Sequence, residues 1–127
     1  MTHEQFIEKE TAKLAKQAGF DWNVGAYFLN GYFYRANFYA NYNLRILADY
    51  KTISAPTQAV LQRWLREVKG IYLHIAFDKA ENGWYTYIPD TDEYSKTYST
   101  FEEALEVALQ ECLTLIIENN ETLQINR

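Results

Sequence analysis

Cysteine and histidine are the side chains of this sequence that could serve as a nucleophile and its base, and both are scarce. Cys112 is the only cysteine, and His3 and His74 are the only histidines. A thiol beside an imidazole can attack an electrophilic carbon. Cys112 with His74 is the only such pair that we consider. Cys112 falls within the apolar face of a predicted helix, where burial raises the pKa of a thiol and leaves it inert. We therefore predict no catalytic residue and no enzymatic activity.

The carboxylates and glycines of the chain do not form a recognised metal or phosphate motif. The segment DTDE at 90–93 places carboxylates at alternate positions, as a calcium loop does, but lacks the glycine and the distal glutamate that complete such a loop. No glycine-rich phosphate-binding pattern occurs. The sequence predicts a solvated turn at 90–93, no metal and no cofactor. A sequence cannot exclude a pair of catalytic carboxylates brought together by the fold, so an enzyme is kept as the third hypothesis.

Three basic residues lie close together on the second predicted helix, namely Arg63, Arg66 and Lys69. Beside aromatic rings, such a strip could contact the phosphates of a nucleic acid. The alternative is a solvated helix back in which Arg63 pairs with Glu67 at i,i+4. We favour the alternative, because the net charge of −5 repels a phosphate backbone.

The segment GAYFLNGYFYRANFYANY at 25–42 is rich in tyrosine and phenylalanine, with 8 in 18 residues. Cross-strand aromatic pairs stabilise hairpins, so sheet packing accounts for most of these rings. The interleaved asparagines, Asn37, Asn41 and Asn43, indicate that one edge stays in water. Part of the segment could therefore bind a protein, and Tyr39 and Tyr42 are the candidate contacts.

Leu113 and Ile117 lie one helical turn apart, displaced from the inward face of the third predicted helix. Either the first helix packs across them, or they contact a partner or a second copy of the chain. Internal packing is the favoured interpretation. The expected state of association is a monomer or a weak homodimer.

The composition predicts one globular domain over residues 1–127. Apolar residues make up 48% of the 127 residues and aromatic residues 17%, which excludes a disordered chain. A single cysteine suits a reducing compartment, and the polar segment MTHEQFIEKE does not resemble a signal peptide. The longest apolar run, LTLII at 113–117, is too short to span a membrane. We therefore predict a cytoplasmic protein that does not enter a membrane.

The pattern of apolar and capping residues predicts three helices, at about 3–18, 55–69 and 100–118. Their capping residues are Thr2 with Gln5, Ser54 with Pro56 in the first turn, and Ser99 and Thr100 with Glu102 and Glu103. Gly19, followed by Phe20, predicts a left-handed end to the first helix. The inward face of the third helix comprises Phe101, Ala104, Leu105, Ala108, Leu109, Cys112, Leu115 and Ile116.

Alternating and aromatic runs predict the strands. Asn30-Gly31 forms a two-residue hairpin turn between strands at 24–29 and 32–36. Further strands are predicted at 71–78, 84–88 and 93–98, and a short one near Leu44–Leu47. The fold class is α+β, with a single antiparallel sheet of about four to five strands packed by three helices.

Several segments together resemble a group of short, uncharacterised proteins of phages and prophages of gut bacteria. They are GFD at 19–21, A-P-T-Q at 55–58, W-L-R-E at 64–67 and T-F-E-E-A-L at 100–105. The resemblance covers nearly the whole chain. It implies a phage or mobile-element origin and assigns no activity and no functional residue.

Residues 71–118 are also similar to HicB-type antitoxins, whose partial RNase-H-like domain binds an mRNA-cleaving toxin. The shared parts are a strand, the segment GWYTYIPD at 83–90 and the T-x-E-E-A-L helix. The chain departs from that family in its long N-terminal addition and in lacking a ribbon–helix–helix or helix–turn–helix tail. The sequence thus favours a small phage-type accessory protein that binds another protein, such as a host factor. The alternatives are a nucleic-acid-binding module and a HicB-type antitoxin.

Overall fold

Helices separate two groups of strands along the chain. The computed structural model describes residues 5–44, 46–47 and 50–125. The helices are α1 (Lys9–Ala18), α2 (Gln58–Val68) and α3 (Phe101–Ile125), and the strands are β1 (Val24–Leu29), β2 (Tyr32–Ala40), β3 (Ile46–Leu47), β4 (Tyr50–Ser54), β5 (His74–Asp78), β6 (Gly83–Ile88) and β7 (Glu93–Tyr94). The chain is a single α+β domain with three helices in its described part, as the sequence predicts.

The strands form two small antiparallel sheets, so the prediction of a single sheet is wrong. The first has the order β2-β1-β4-β3, in which β3 has only two residues, and the second has the order β5-β6-β7. The sequence gives no sign of β4, because its buried side chains, Thr52 and Ser54, are polar. It therefore lacks the alternation of apolar and polar residues that marks a half-buried strand. β4 pairs with β1. The first sheet is therefore complete without the strands β5–β7, which form the second sheet.

Helix α3 packs against α1, α2 and the two longer strands of the second sheet, β5 and β6. Most of its predicted inward face is buried, namely Ala104, Leu105, Ala108, Leu109, Cys112 and Ile116. Two residues differ from the prediction, since Leu115 is half-buried and Phe101 is exposed. Phe101 is the first residue of α3 and packs edge-on against Trp84, with 5.4 Å between the ring centroids. Because α1 in turn packs against β4 of the first sheet, α1 and α3 together connect the two sheets.

Helix α1 begins at Lys9, later than the predicted residue 3. Residues 6–8 are extended, because the Ile7 N–H donates to the Pro56 carbonyl at 3.1 Å and Phe6 forms a bridge with Thr57. A backbone committed to these bonds cannot also be helical. The predicted cap Thr2 lies outside the described residues.

A buried carboxylate from α3 caps helix α1. The N-cap residue Glu8 makes no side-chain cap of its own. Its N–H donates to Glu106 Oε2 at 2.9 Å, and the Thr11 hydroxyl donates to the same oxygen. The Gln58 amide of α2 donates to Glu106 Oε1 at 2.8 Å. One carboxylate therefore satisfies donors from two helices while belonging to the third.

The other helix ends follow the capping rules at partly different residues. Helix α2 is capped by Thr57, whose hydroxyl accepts the Val60 N–H at 3.2 Å, so the predicted cap Ser54 is wrong. Thr100 accepts the Glu103 N–H at 3.1 Å, as predicted. Helix α3 continues past the predicted residue 118 to Ile125. None of the helices formed by the described residues is long and apolar enough to cross a bilayer.

Two predicted turns are confirmed in detail. Asn30 and Gly31 have φ values of 53° and 86°, as a type I′ turn between β1 and β2 requires. Gly19 has a φ of 98°, and the Phe20 N–H donates to the Ala15 carbonyl at 2.9 Å, which is the bond of a Schellman end. The hairpin turn fixes the register of β2, the strand that carries the candidate site.

Candidate functional site

Strand β2 bulges away from its neighbour β1. Its register pairs Val24 with Ala40 and Ala26 with Arg35. One residue of β1, Gly25, therefore faces the four residues of β2 at 36–39, which we call the β2 bulge. Bulges break the hydrogen-bond ladder and redirect side chains, and this one leaves residues 36–39 of β2 without a paired residue on β1.

Tyr42 supports the β2 bulge from inside the molecule. Its hydroxyl donates to the Phe38 carbonyl at 2.8 Å, and its ring stacks on Tyr27 with 4.8 Å between centroids. Only 2% of Tyr42 is exposed. The prediction that Tyr42 contacts a partner is therefore wrong for this structure. Its role is to hold the backbone of the bulge.

Tyr39 lies over Gly25. A Cβ placed on Gly25 would come within 2.2 Å of Tyr39 Cε1, so the missing side chain of the glycine leaves the room that the ring occupies. The rest of Tyr39 faces solvent, and 76% of the residue is exposed. Of the four predicted partner contacts, Tyr39 is the most accessible.

Strand β2 exposes a row of large aromatic side chains, which we call the aromatic edge. Its members are Tyr32, Phe33, Tyr34, Phe38 and Tyr39. β2 is the outer strand of the first sheet and, within the described residues, pairs only with β1. An aromatic outer strand left unpaired on one side is a ready surface for another chain.

A cleft of about 510 Å³ lies between the β2 bulge and the start of α2, and we call it the bulge cleft. Its walls include the rings of Phe6, Phe38 and Tyr39, and Arg35 is the only charged residue among the described residues that line it. A smaller cleft of about 180 Å³ borders the same bulge. Concave sites of a few hundred Å³ that combine apolar walls with a few polar groups are typical of binding sites.

The outer face of the second sheet is a second aromatic surface, but its groups already bind one another. The rings of Tyr87 and Tyr94 lie 4.5 Å apart, and His74 lies 6.1 Å from Tyr87. The Tyr87 hydroxyl donates to Asp92 Oδ1 at 2.7 Å, and this bond raises the pKa of Tyr87 above its ordinary value. We prefer the aromatic edge, because five exposed rings lie together there on one outer strand.

Two of the three basic residues of α2 contact neighbouring side chains. Arg63 pairs with Glu67, as predicted, and its guanidinium carbon lies 5.9 Å from the centre of the Trp22 ring. The Lys69 ammonium lies 5.5 Å from the centre of the Trp64 ring. Arg66 is exposed. Of the strip predicted to contact phosphates, only Arg66 makes no ion pair or ring contact with another described residue.

The two displaced apolar residues of α3 differ in burial. Leu113 is fully buried, and Ile117 is half-buried against the core. Because α3 packs against α1 as well as the second sheet, its buried arc is wider than one stripe. Leu113 is therefore unavailable to a partner, and internal packing is the correct alternative for it.

Cys112 and His74 do not form a dyad in the described part of the chain. Cys112 is fully buried, whereas His74 is exposed on β5. Burial, with smaller effects of Glu111 and Asp90, raises the pKa of the Cys112 thiol to about 12. Among the described residues, no group of three or more histidine, cysteine or acidic side chains could hold a metal ion.

Because Cys112 is the only cysteine, its rate of chemical labelling reports on the burial of this one thiol. The pKa of Cys112 is about 12 against an ordinary value of 9.0, so at pH 8 the native thiolate is about a thousandfold scarcer than in the unfolded chain. We expect iodoacetamide to label native Cys112 at least about a hundredfold more slowly than in urea. Because folding raises this pKa, the associated stability is present below pH 9 and is lost toward pH 12. Equal labelling rates would show that the thiol is open to solvent.

The sequence pointed to Tyr39 but not to the groups around it. The sequence pattern assigns no contact role to Arg35 or Gly25, because an arginine and a glycine in an aromatic strand have no distinctive spacing. The only signal was R-A-N at 35–37, which interrupts the aromatic run where the pairing of β2 with β1 is broken.

The candidate site thus consists of the aromatic edge, the β2 bulge and the bulge cleft, all carried by β2 and its neighbours. Comparison with protein-family models, curated proteins and solved structures finds no match to this chain.

Proposed function

We propose that this chain is a cytoplasmic protein-binding module that acts without catalysing a reaction. The observation that carries the proposal is the aromatic edge, in which Tyr32 and Tyr39 are 71% and 76% exposed. Tyrosine and other aromatic side chains supply most of the energy in many interfaces, because they bury a large area at low entropic cost. A chain that keeps such rings on an outer strand has a surface suited to another protein.

The position of the aromatic edge also supports binding. An outer strand can accept an extended segment of a partner through main-chain hydrogen bonds, while the rings give specificity. The β2 bulge interrupts the flat edge after Arg35, which limits uncontrolled pairing between copies. The chain then acts as a monomer or a weak homodimer that reserves this edge for a partner.

The resemblance to short phage and prophage proteins suggests where the partner comes from. A phage-type accessory protein most usefully binds a protein of its host, so bacterial proteins are the pool to search. A HicB-type antitoxin role would make the partner an mRNA-cleaving toxin. Nucleic-acid binding has less support, because Arg63 and Lys69 contact neighbouring side chains and the net charge is −5.

Affinity capture with matched variants tests the proposal. We expect the immobilised chain to retain a specific protein from lysate of a gut bacterium, and Phe38→Ser or Tyr39→Ser to reduce its recovery about tenfold or more. Both residues are exposed, so the free energy of unfolding should be nearly unchanged. Quantitative mass spectrometry of the eluate measures recovery, and thermal unfolding checks the fold.

Tyr94→Ser is the matched control, because Tyr94 has a similar exposure of 69% and lies on the second sheet. It should leave recovery of the partner unchanged. Loss of the partner in Tyr94→Ser alone would move the binding surface to the second sheet and refute the proposal. Absence of any specific partner, together with measurable turnover of a substrate, would refute it as well.

A further inference from the structure

Arg35 is a cation that pairs with no acidic side chain of the described residues, in a protein of net charge −5. Its side chain makes no ion pair and no hydrogen bond with any residue in the described part of the chain. Its guanidinium carbon lies 4.9 Å from the centre of the Phe6 ring. A guanidinium held over an aromatic ring keeps its N–H donors directed outward, where a carboxylate could accept them.

The ring under Arg35 is itself fixed. Phe6 packs edge-on against Phe33 with 5.1 Å between centroids, and its backbone forms a bridge with Thr57. Phe6 and Arg35 both line the bulge cleft. The cation is therefore placed at the wall of a concave site in advance of binding, which lowers the entropic cost of using it.

The other lining residues of the cleft indicate which chemical groups a bound ligand carries beside its negative group. Apolar and polar groups share the surface of the cleft about equally, and the amides of Asn23 and Asn37 are among the polar groups. The fitting ligand therefore has a negative group, apolar groups beside it, and hydrogen-bonding groups that amides can satisfy. An acidic residue between apolar residues of a peptide has all three properties.

The backbone of β2 favours an extended peptide over a small molecule. Tyr32 flanks the two-residue turn opposite Leu29, so residues 32 and 34 bond to β1, and Phe33 and Arg35 direct their N–H and C=O groups to the outer side. The hydrogen bond from the Ala55 N–H to the Ala26 carbonyl, 3.0 Å long, agrees with this alternation. A strand added there would lie beside Arg35, which also lines the bulge cleft.

We infer that the bulge cleft binds an extended segment of the partner protein whose acidic side chain pairs with Arg35 between apolar neighbours. The inference rests on the proposed protein-binding function and specifies the partner's motif. Nucleic acid fits less well, because strong phosphate-backbone binding requires several cations and Arg35 is the only charged side chain that the described residues contribute to the cleft.

Two peptide libraries test the inference directly. Short peptides, acetylated and amidated at their ends, carry a central Glu in one library and a central Gln in the other, with random flanks. We expect the immobilised chain to retain the Glu library about tenfold better than the Gln library, because a charge-assisted pair with arginine is lost in the second. Sequencing of the retained peptides should show aromatic or aliphatic flanks, and raising the salt concentration should reduce the preference.

Arg35→Gln should abolish the preference, while Arg66→Gln should preserve it. The two variants change the net charge equally, and Arg66 lies on α2 outside the cleft lining. Thermal unfolding confirms that both variants are folded. Equal retention of the two libraries by the unaltered chain, or a preserved preference in Arg35→Gln, would overturn the inference, as would Arg35-dependent binding of single-stranded DNA in place of peptides.

Recovery of the captured partner distinguishes failure of the acidic-motif inference from failure of the proposed protein-binding function. If Tyr39→Ser releases the partner and Arg35→Gln retains it, only the acidic-motif inference fails. If Tyr39→Ser retains the partner, the proposed function itself fails.

Discussion

Glu106→Ala is expected to lower the free energy of unfolding by about 3 kcal/mol. The change removes the acceptor of three donors, the Glu8 N–H, the Thr11 hydroxyl and the Gln58 amide. Buried donors left without an acceptor keep their full desolvation cost, which is about 1–3 kcal/mol for each group. The same loss frees the start of α1 from its cap. Urea denaturation followed by circular dichroism at constant pH measures the effect.

Glu118→Ala is the control for Glu106→Ala. It makes the same chemical change on the same helix at an exposed position, so the expected change is within about 0.5 kcal/mol. Glu106→Gln should fall between the two, because the amide oxygen can still accept while the charge is lost. Similar stabilities of Glu106→Ala and Glu118→Ala would mean that the buried network does not hold the helices together.

Leu109→Ala and Leu113→Ala are each expected to lower the free energy of unfolding by about 2–5 kcal/mol. Both side chains are fully buried, on a helix that packs against α1, α2 and the second sheet. Removing a buried leucine loses its transfer free energy and leaves a cavity that rigid neighbours fill only in part. Chemical denaturation with a common slope for all variants measures the loss.

Leu115→Ala is the matched control, because Leu115 lies on the same helix but is half-buried. Its expected cost is about half that of a fully buried leucine or less. The order of Leu113 and Leu115 is informative, since the helical stripe of the sequence places Leu115 inside and Leu113 outside. A larger loss for Leu115→Ala than for Leu113→Ala would contradict the packing of α3 described above.

Local rules account for the elements that the sequence predicts correctly. The Asn30-Gly31 turn, the left-handed Gly19 and the cap at Thr100 depend on neighbouring residues, and each has the expected geometry. The i,i+4 pair of Arg63 and Glu67 is equally local. Such features require no knowledge of the rest of the fold, which is why spacing alone predicts them.

Errors arise where distant segments compete with local signals. The start of α1 is delayed because residues near Phe6 pair with the chain around Thr57, which lies far away in sequence. Strand β4 escapes notice because polar Thr52 and Ser54 face the interior. In both cases a tertiary contact decides the local structure, and no pattern within the segment itself records it.

The candidate site was accessible to sequence reasoning only in part. The density of aromatic residues directs attention to 25–42, and Tyr39 is exposed as a contact residue must be. Tyr42, three residues later and of the same type, is buried beneath the β2 bulge and binds the Phe38 carbonyl. Residue type alone therefore does not distinguish the exposed ring of Tyr39 from the buried ring of Tyr42.

The sequence by itself determined the α+β class, the three helices, the first hairpin and the aromatic character of its outer strand, because helical periodicity, capping and turn chemistry act over a few residues. Only the tertiary structure decided that there are two sheets, that β2 bulges opposite Gly25, and that Arg35 stands over Phe6 at the wall of a cleft. These features depend on which strands pair and which faces meet, and their free energy comes from contacts between residues that the chain keeps apart.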